Sequence, residues 1–370
     1  MDETETGARS LGINFQGLTY YDDMAVFNDL TRQASSWISW DTDEPWEWDD
    51  GRPIQIDAEG YPTALAPDQA ARMVVHLDNE LDLAGTFTLT WEGRGTLLLE
   101  ANGTEREIDD SADAIAENRA EIAVPSAGDG EPAIFLSILE TDPADPIRDI
   151  RLYRPGAEPG GETFNPAFLD AIAPFGVLRP MQWTVANEGA DTGRWEDRAQ
   201  LDWARWGPFW QEDSPRNIGV PWEAQIALAN ETGKDLWITV PHRADADYMR
   251  ALARLVEDTL GPGLTLYLDY ANEAWNFLFD AFPYLAGLAE EIRETEGHEE
   301  YYPAHAYGRR AGELFAIFEE EIADDDRVVN VLSGQAGWQA PLEVAVEELA
   351  RLGQAGLVEA VALAPYFPDL

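Results

Sequence analysis

A carboxylic acid passes a proton to a leaving oxygen efficiently when rigid backbone holds it and its surroundings keep it partly protonated near the working pH. Glu273 has the sequence setting for that task. It follows Asn272 at the end of an apolar run and precedes Trp275 and Asn276. An amide next to the acid can hydrogen-bond a ligand hydroxyl, and aromatic rings around a carboxyl strip its water and raise its pKa. Other residues of chemical use fall just after similar apolar runs: Arg179, Trp183 and the Asn187–Glu188 pair; then His242; then Gln335 and Trp338; then Tyr366 and Phe367. Trp183, Trp275 and Trp338 offer flat faces for stacking on a ligand. Each residue also has a structural reading: His242 as a satisfied core histidine, Arg179 as the partner of an acid, Tyr366 as core.

The elements that must hold these side chains alternate. Strand-like runs at 11–15, 176–183, 235–240, 264–271, 327–333 and 358–364 are separated by helical patterns at 24–40, 165–174, 221–230, 245–260, 303–323 and 341–352. Pro221 and Asp245 open two of these helices, and Gly233 closes the first of them. Strands alternating with helices predict an α/β fold with a parallel sheet. A doubly wound sheet lacks support, because no Gly-rich phosphate turn follows the first strand. The expectation is a (β/α)8 TIM-type barrel, incomplete at about six βα units, whose strand ends form the site.

Between about 50 and 155 the texture changes. Short alternating runs such as 72–77, 86–91, 96–100, 133–138 and 149–153 recur between Gly, Asp and Asn turns. That spacing predicts an inserted antiparallel β-sandwich. The expected organisation is a first strand and helix at 11–45, the sandwich at 50–155 as a candidate carbohydrate-binding insertion, and the remaining α/β units at 162–370. The long segment carrying Trp195, Trp203, Trp206 and Trp210 either lines a sugar groove or anchors a loop.

The run Leu266-Tyr-Leu-Asp-Tyr-Ala-Asn-Glu-Ala-Trp-Asn276 resembles the fourth strand of clan A glycoside hydrolases, and more closely that of microbial barrel proteins often labelled cellulose-binding. The likeness extends to Leu178-Arg179, Thr239-Val-Pro-His242 and Ala364-Pro-Tyr366-Phe367. It implies that Glu273 is the acid/base and that Asn272, Arg179, His242 and Tyr366 position the sugar. The clan takes its nucleophile from a Glu after strand seven. The sequence ends at Leu370, just past the sixth predicted strand, so under the resemblance either it is a fragment whose nucleophile lies beyond that residue or the protein does not hydrolyse by this route. Two functions remain open: a retaining hydrolase of a polysaccharide or β-glycoside, and a non-catalytic carbohydrate-binding protein.

Composition narrows the partners. Against 71 acidic residues stand 24 basic ones, a net charge of −47, and Lys234 is the only lysine. Such a charge opposes nucleic-acid phosphates and anionic membranes. The acids are spread along the whole chain, a pattern similar to that of proteins from salt-loving microbes. There are no cysteines, so thiolate metal sites and disulfides are excluded. No zinc spacing occurs, and Asp41, Asp43, Asp49 and Asp50 lack the ligand spacing of an EF-hand. No metal or cofactor is expected. Residues 1–10 are polar and no run of 18 apolar residues occurs, so the chain reads as soluble, with export left open.

Overall fold

The computed structural model describes residues 11–44, 47–77, 83–109, 118–128, 130–184, 186–187, 193–207 and 219–365. The chain divides into two compact units: 1–16, 172–198 and 220–370 form one, and 17–171 with 199–219 form the other. After a first strand β1 (Gly12–Asn14) the chain enters the second unit. Its strands are β2 (Ile38–Asp41), β3 (Gln55–Ile56), β4 (Pro62–Ala64), β5 (Gln69–Leu77), β6 (Gly85–Glu92), β7 (Gly95–Ala101), β8 (Thr104–Asp109), β9 (Arg119–Val124), β10 (Ala133–Thr141) and β11 (Arg148–Tyr153). A five-stranded antiparallel sheet runs in the order β2-β5-β10-β7-β8, a three-stranded one in the order β11-β6-β9, and β3 pairs with β4. The inward residues of the two larger sheets share one core, with Phe87, Leu89 and Trp91 from one and Met73, Leu97, Leu99 and Leu136 from the other. Alternation along β7 explains this, since Leu97 and Leu99 are buried while Leu98 and Glu100 are less so. The β6–β7 turn requires glycine. Gly95 has φ +152°, and a Cβ there would lie 2.0 Å from the Glu140 carbonyl oxygen.

The helix expected over Met24–Trp40 does not form. Only a 3-10 turn at Leu30–Gln33 is present, and Ile38–Asp41 pairs antiparallel with β5. Phe27, Leu30 and Ala34 are buried, but so are Asn28, Asp29 and Thr31 between them, and side chains satisfy the backbone in an irregular path. Asp29 caps Thr31 N at 3.1 Å, Gln33 Oε1 accepts from Val26 N at 2.8 Å, and Ser35 Oγ accepts from Val74 N at 2.8 Å.

Helix α1 (Pro166–Ile172) precedes the other unit's elements: β12 (Val177–Arg179), α2 (Trp222–Thr232), β13 (Asp235–Val240), α3 (Ala246–Thr259), β14 (Leu266–Tyr270), α4 (Ala281–Glu296), α5 (Pro303–Glu321), β15 (Val328–Gln335), α6 (Ala340–Arg351) and β16 (Ala360–Ala364). Asp245 caps α3 by accepting from Tyr248 N at 2.7 Å, and Gly233 ends α2 at φ +63°. Six parallel strands lie in the order β1-β12-β13-β14-β15-β16. β13 and β14 are buried through most of their length, as in a parallel sheet covered on both faces.

This sheet corrects the expectation of a (β/α)8 barrel. A barrel closes by pairing its first and last strands. Here β1 pairs only with β12, and β16 only with β15, among the described residues. The sheet is therefore open and six-stranded. No helix follows β1 before the chain leaves for the other unit, and two helices, α4 and α5, separate β14 from β15. The molecule is mixed α/β, with a six-stranded parallel sheet and separate antiparallel sheets. Among the described residues no helix is long and apolar enough to cross a membrane.

Candidate functional site

In open parallel sheets ligands bind at the carboxyl ends of the strands. At that edge the turn leaving β14 is unusual. Ala271 has φ +58° and Glu273 φ +43°, both in the left-handed region where a side chain is strained. Ala271 N still donates to Val240 O at 3.0 Å, which ties the turn to β13. Asn276 closes it from the other side: its N donates to Glu273 O at 2.7 Å, and its Nδ2 donates to Glu273 Oε2 at 2.9 Å. Glu273 is half-buried and held at both backbone and carboxylate.

Behind Glu273 lies a buried polar network. Asn272, 6% exposed, donates from Nδ2 to Asn187 Oδ1 at 2.7 Å. Arg179 Nη2 donates to Asn272 Oδ1 at 3.3 Å and to Asp269 Oδ2 at 3.4 Å, with its guanidinium 5.0 Å from the centre of the Trp237 ring. Asp269 has no exposed surface. Its two oxygens accept from Ser333 Oγ at 2.9 and 3.0 Å. Burial pushes its carboxyl up to about 7, against the lowering effect of Arg179 and the Ser333 hydroxyl. Ser333 N in turn donates to the Tyr307 hydroxyl at 2.8 Å. The network thus runs from β12 through β14 to β15 and α5.

Ser333 and Tyr307 also line a cavity of about 300 Å³, together with Trp275, Phe282, Tyr302 and Trp338. Trp275 comes from the turn after β14 and is half-buried; Trp338 follows β15 and is 49% exposed. Glu273 is not among the lining residues, although Ala274 and Trp275, the next two residues, are.

The structure thus brings together Arg179 and Asn272, and separately Trp275 and Trp338. His242 lies apart from this cavity lining. It is 2% exposed, its carbonyl accepts from the Tyr270 hydroxyl at 2.6 Å, and its ring lies 5.3 Å from that of Tyr284. Its Nε2 finds no hydrogen-bond partner among the described residues, and burial, helped by the Arg243 charge, pushes its pKa down to about 4. A neutral imidazole results. Trp183, 2% exposed and packed 5.1 Å from Phe15, is a core residue with no face for a ligand. Tyr366 and Glu188 lie outside the described residues. Trp195 packs on Tyr248, Trp206 packs edge-on against Phe27, Trp203 is buried, and Trp210 lies outside the described residues.

Asp269, Ser333 and Tyr307 were not singled out from the sequence. Asp269 did carry a signal, because a carboxylate inside an otherwise apolar parallel strand must be paired.

No family model matches the chain, and no curated protein matches it. Among solved structures, similarity is found to a family two carbohydrate esterase from Clostridium thermocellum in complex with cellohexaose, at 8% identity over 85% of this chain and 90% of that one, with a TM-score of 0.21. A β-glucosidase from Kluyveromyces marxianus in complex with glucose shows 6% identity over 55% of this chain and 23% of that one, with a TM-score of 0.21. A GH31 α-xylosidase from Xanthomonas citri shows 7% identity over 89% of this chain and 46% of that one, with a TM-score of 0.17. These neighbours are carbohydrate-active proteins, and at such TM-scores the likeness does not extend to a shared fold.

Proposed function

We propose that the chain binds a polysaccharide or β-glycoside at the carboxyl edge of its parallel sheet. One observation carries this reading: Trp275 and Trp338, from the turns after two adjacent strands, line one cavity with Tyr302 and Tyr307. Aromatic faces pack against the C–H faces of sugar rings, and Tyr302, 54% exposed, brings a hydroxyl to the rim, whereas the Tyr307 and Ser333 hydroxyls are engaged in the buried network. Asn272 and Arg179 stand as further polar groups at the same strand ends. The test is titration calorimetry with soluble β-linked oligosaccharides in concentrated salt. Trp338→Ala is expected to weaken binding at least tenfold; unchanged affinity rejects the reading.

A second reading adds catalysis, with Glu273 as the acid/base of a retaining glycoside hydrolase. The strained backbone at Ala271 and Glu273 favours it, because such strain, of order 1–3 kcal/mol per residue, persists where surrounding structure enforces it and clusters at active sites. The mechanism needs a second carboxylate about 5–5.5 Å from the first. Asp269 is closed off and engaged by Ser333 and Arg179, so that partner comes from elsewhere. Glu273→Gln is expected to abolish turnover of an aryl β-glycoside while leaving glycan affinity intact, and undiminished turnover excludes Glu273 as the acid.

We propose also that the fold is adapted to concentrated salt. The net charge of −47 supports this, because self-repulsion of that size is relieved by screening.

A further inference from the structure

The antiparallel unit holds a groove of its own, of about 590 Å³, within the range of about 300–1,000 Å³ usual for ligand sites. Trp37, Trp48 and Trp203 line it together with Asp49, Arg52 and Glu59. Its aromatic and charged residues come from four segments: the start of β2, the loop into β3, the β3–β4 turn, and 203–205.

The groove is built before any ligand arrives. Trp37 Nε1 donates to Gly60 O at 2.9 Å, which fixes one indole. Ala204 N donates to Glu59 O at 2.8 Å and joins 203–205 to the β3–β4 turn. Arg52 fastens the loop to the sheet: it pairs with Asp50 at 2.6 Å and Asp41 at 3.4 Å, and donates to the carbonyls of Pro67 and Asp68 at 3.1 and 3.0 Å. Asp41 and Asp50 thus serve an arginine. Trp48 stays 49% exposed, yet its ring rests edge-on against Phe135 at 5.9 Å. An indole so exposed and so steadied is a ready stacking face. Preorganisation of this kind lowers the entropic cost of binding.

Charge selects among ligands. Four charged residues line the groove: Asp49, Glu59, Arg205, which donates to the Gly207 carbonyl, and Arg52, which is neutralised by Asp41 and Asp50; with those two partners counted, acids outnumber arginines four to two, within a chain of net charge −47. Phosphates and uronates are repelled. Carboxylates and carbonyls accept hydrogen bonds from hydroxyls, and indoles pack on C–H faces. We infer that this groove is a second, independent binding site for a neutral oligosaccharide, with Trp48 as its principal platform. It goes beyond the site at the parallel sheet and shares no residue with it.

The experiment is calorimetric titration of the full chain in concentrated salt with neutral hexasaccharides (β-1,4-linked glucose, xylose and mannose, and α-1,4-linked glucose), with a hexauronate as the anionic control. At least one neutral probe is expected to bind to the Trp48 groove, Trp48→Ala is expected to weaken that event at least tenfold, and Trp338→Ala is expected to leave it unchanged. Near-ultraviolet circular dichroism of Trp48→Ala verifies folding, and Trp48→Phe, which keeps a ring, is expected to retain part of the affinity. If Trp338→Ala removes all binding and Trp48→Ala removes none, the groove is rejected while the parallel-sheet site stands. The converse pattern upholds the groove and rejects the other site. Absence of binding by every neutral probe, or tighter binding of the hexauronate, overturns the inference.

Discussion

Asn272 donates a hydrogen bond to Asn187 at 2.7 Å, so two asparagines that each precede a glutamate in the sequence meet at the strand ends. Both amides are nearly buried, and Asn272 also accepts from Arg179. Removing one partner strands the other in a site that water reaches poorly. Asn272→Ala is expected to cost about 1–3 kcal/mol in chemical denaturation. The double variant with Asn187→Ala should cost less than the sum of the singles, since the second truncation removes a group already unpaired. Strict additivity would show that the contact carries no energy.

Asp269 makes the parallel unit sensitive to pH in a direction opposite to most carboxylates. Burial raises its folded pKa from 3.8 to about 7. The neutral acid is favoured in the fold, so its contribution to stability is fully present below about 4 and is lost as pH rises through about 7. Asp269→Asn mimics the neutral form. Its melting temperature relative to wild type is expected to climb by several degrees between pH 5 and pH 8, at about 2–4 °C per kcal/mol for a unit of this size. A difference that is flat with pH, or falls, contradicts the assignment.

The same residue marks where sequence reading stops. The strands at 235–240 and 264–271 were legible because a parallel strand covered on both faces is an almost unbroken apolar run. Asp245 and Gly233 were legible because capping is local chemistry. Closure of the sheet was not, because no period in the sequence records which edge strands pair. The segment 24–40 misled for a related reason: Phe27, Leu30 and Ala34 sit at helical spacing and are buried, but Asp29, Gln33 and Ser35 bind backbone groups and draw the chain extended. At the candidate site, Arg179 and Asn272 meet only through the pairing of neighbouring strands, whereas Trp183 shows that an indole's place in sequence does not reveal which way it is buried. Asp269 and Ser333 are 64 residues apart and meet only through the pairing of β14 with β15.

Glu348 joins α5 to α6 inside the same unit. Its carboxylate is 1% exposed and accepts from the Tyr301 hydroxyl at 2.7 Å, from Arg351 at 2.6 and 2.7 Å, and from Arg309 at 3.3 Å. Burial alone would raise its pKa, but the Arg351 and Tyr301 hydrogen bonds prevail and lower it to about 2. Stability from this group is therefore present above about 4.5 and lost as pH falls through about 2. Glu348→Ala leaves Arg351 and the Tyr301 phenol without their acceptor, while Arg309 keeps Glu296 at 2.6 and 3.0 Å, and is expected to cost about 1–3 kcal/mol at pH 7. Denaturant midpoints at pH 7 and pH 3 should show the penalty shrinking at the lower pH; a constant penalty would mean lost packing rather than lost charge.

Salt separates screening from every other source of stability here. With 71 acids and 24 basic residues, most carboxylates have no cation to pair with. Screening shortens the Debye length from about 10 Å at 0.1 M salt to about 3 Å at 1 M, so repulsion between surface acids fades over that interval. The melting temperature is expected to rise steeply from 0.1 to 1 M sodium chloride and then to flatten. Continued rise beyond 1 M with sulfate, but not with chloride, would point to strengthened apolar burial as an added cause. A local substitution tests the same idea. Glu290 and Glu294 are exposed one turn apart on α4, a repulsive arrangement. Glu294→Lys converts it to an attractive one and is expected to raise the melting temperature at 0.1 M salt, with the gain vanishing at 3 M. If the gain is equal at both concentrations, repulsion between surface acids is not what limits this fold in dilute buffer.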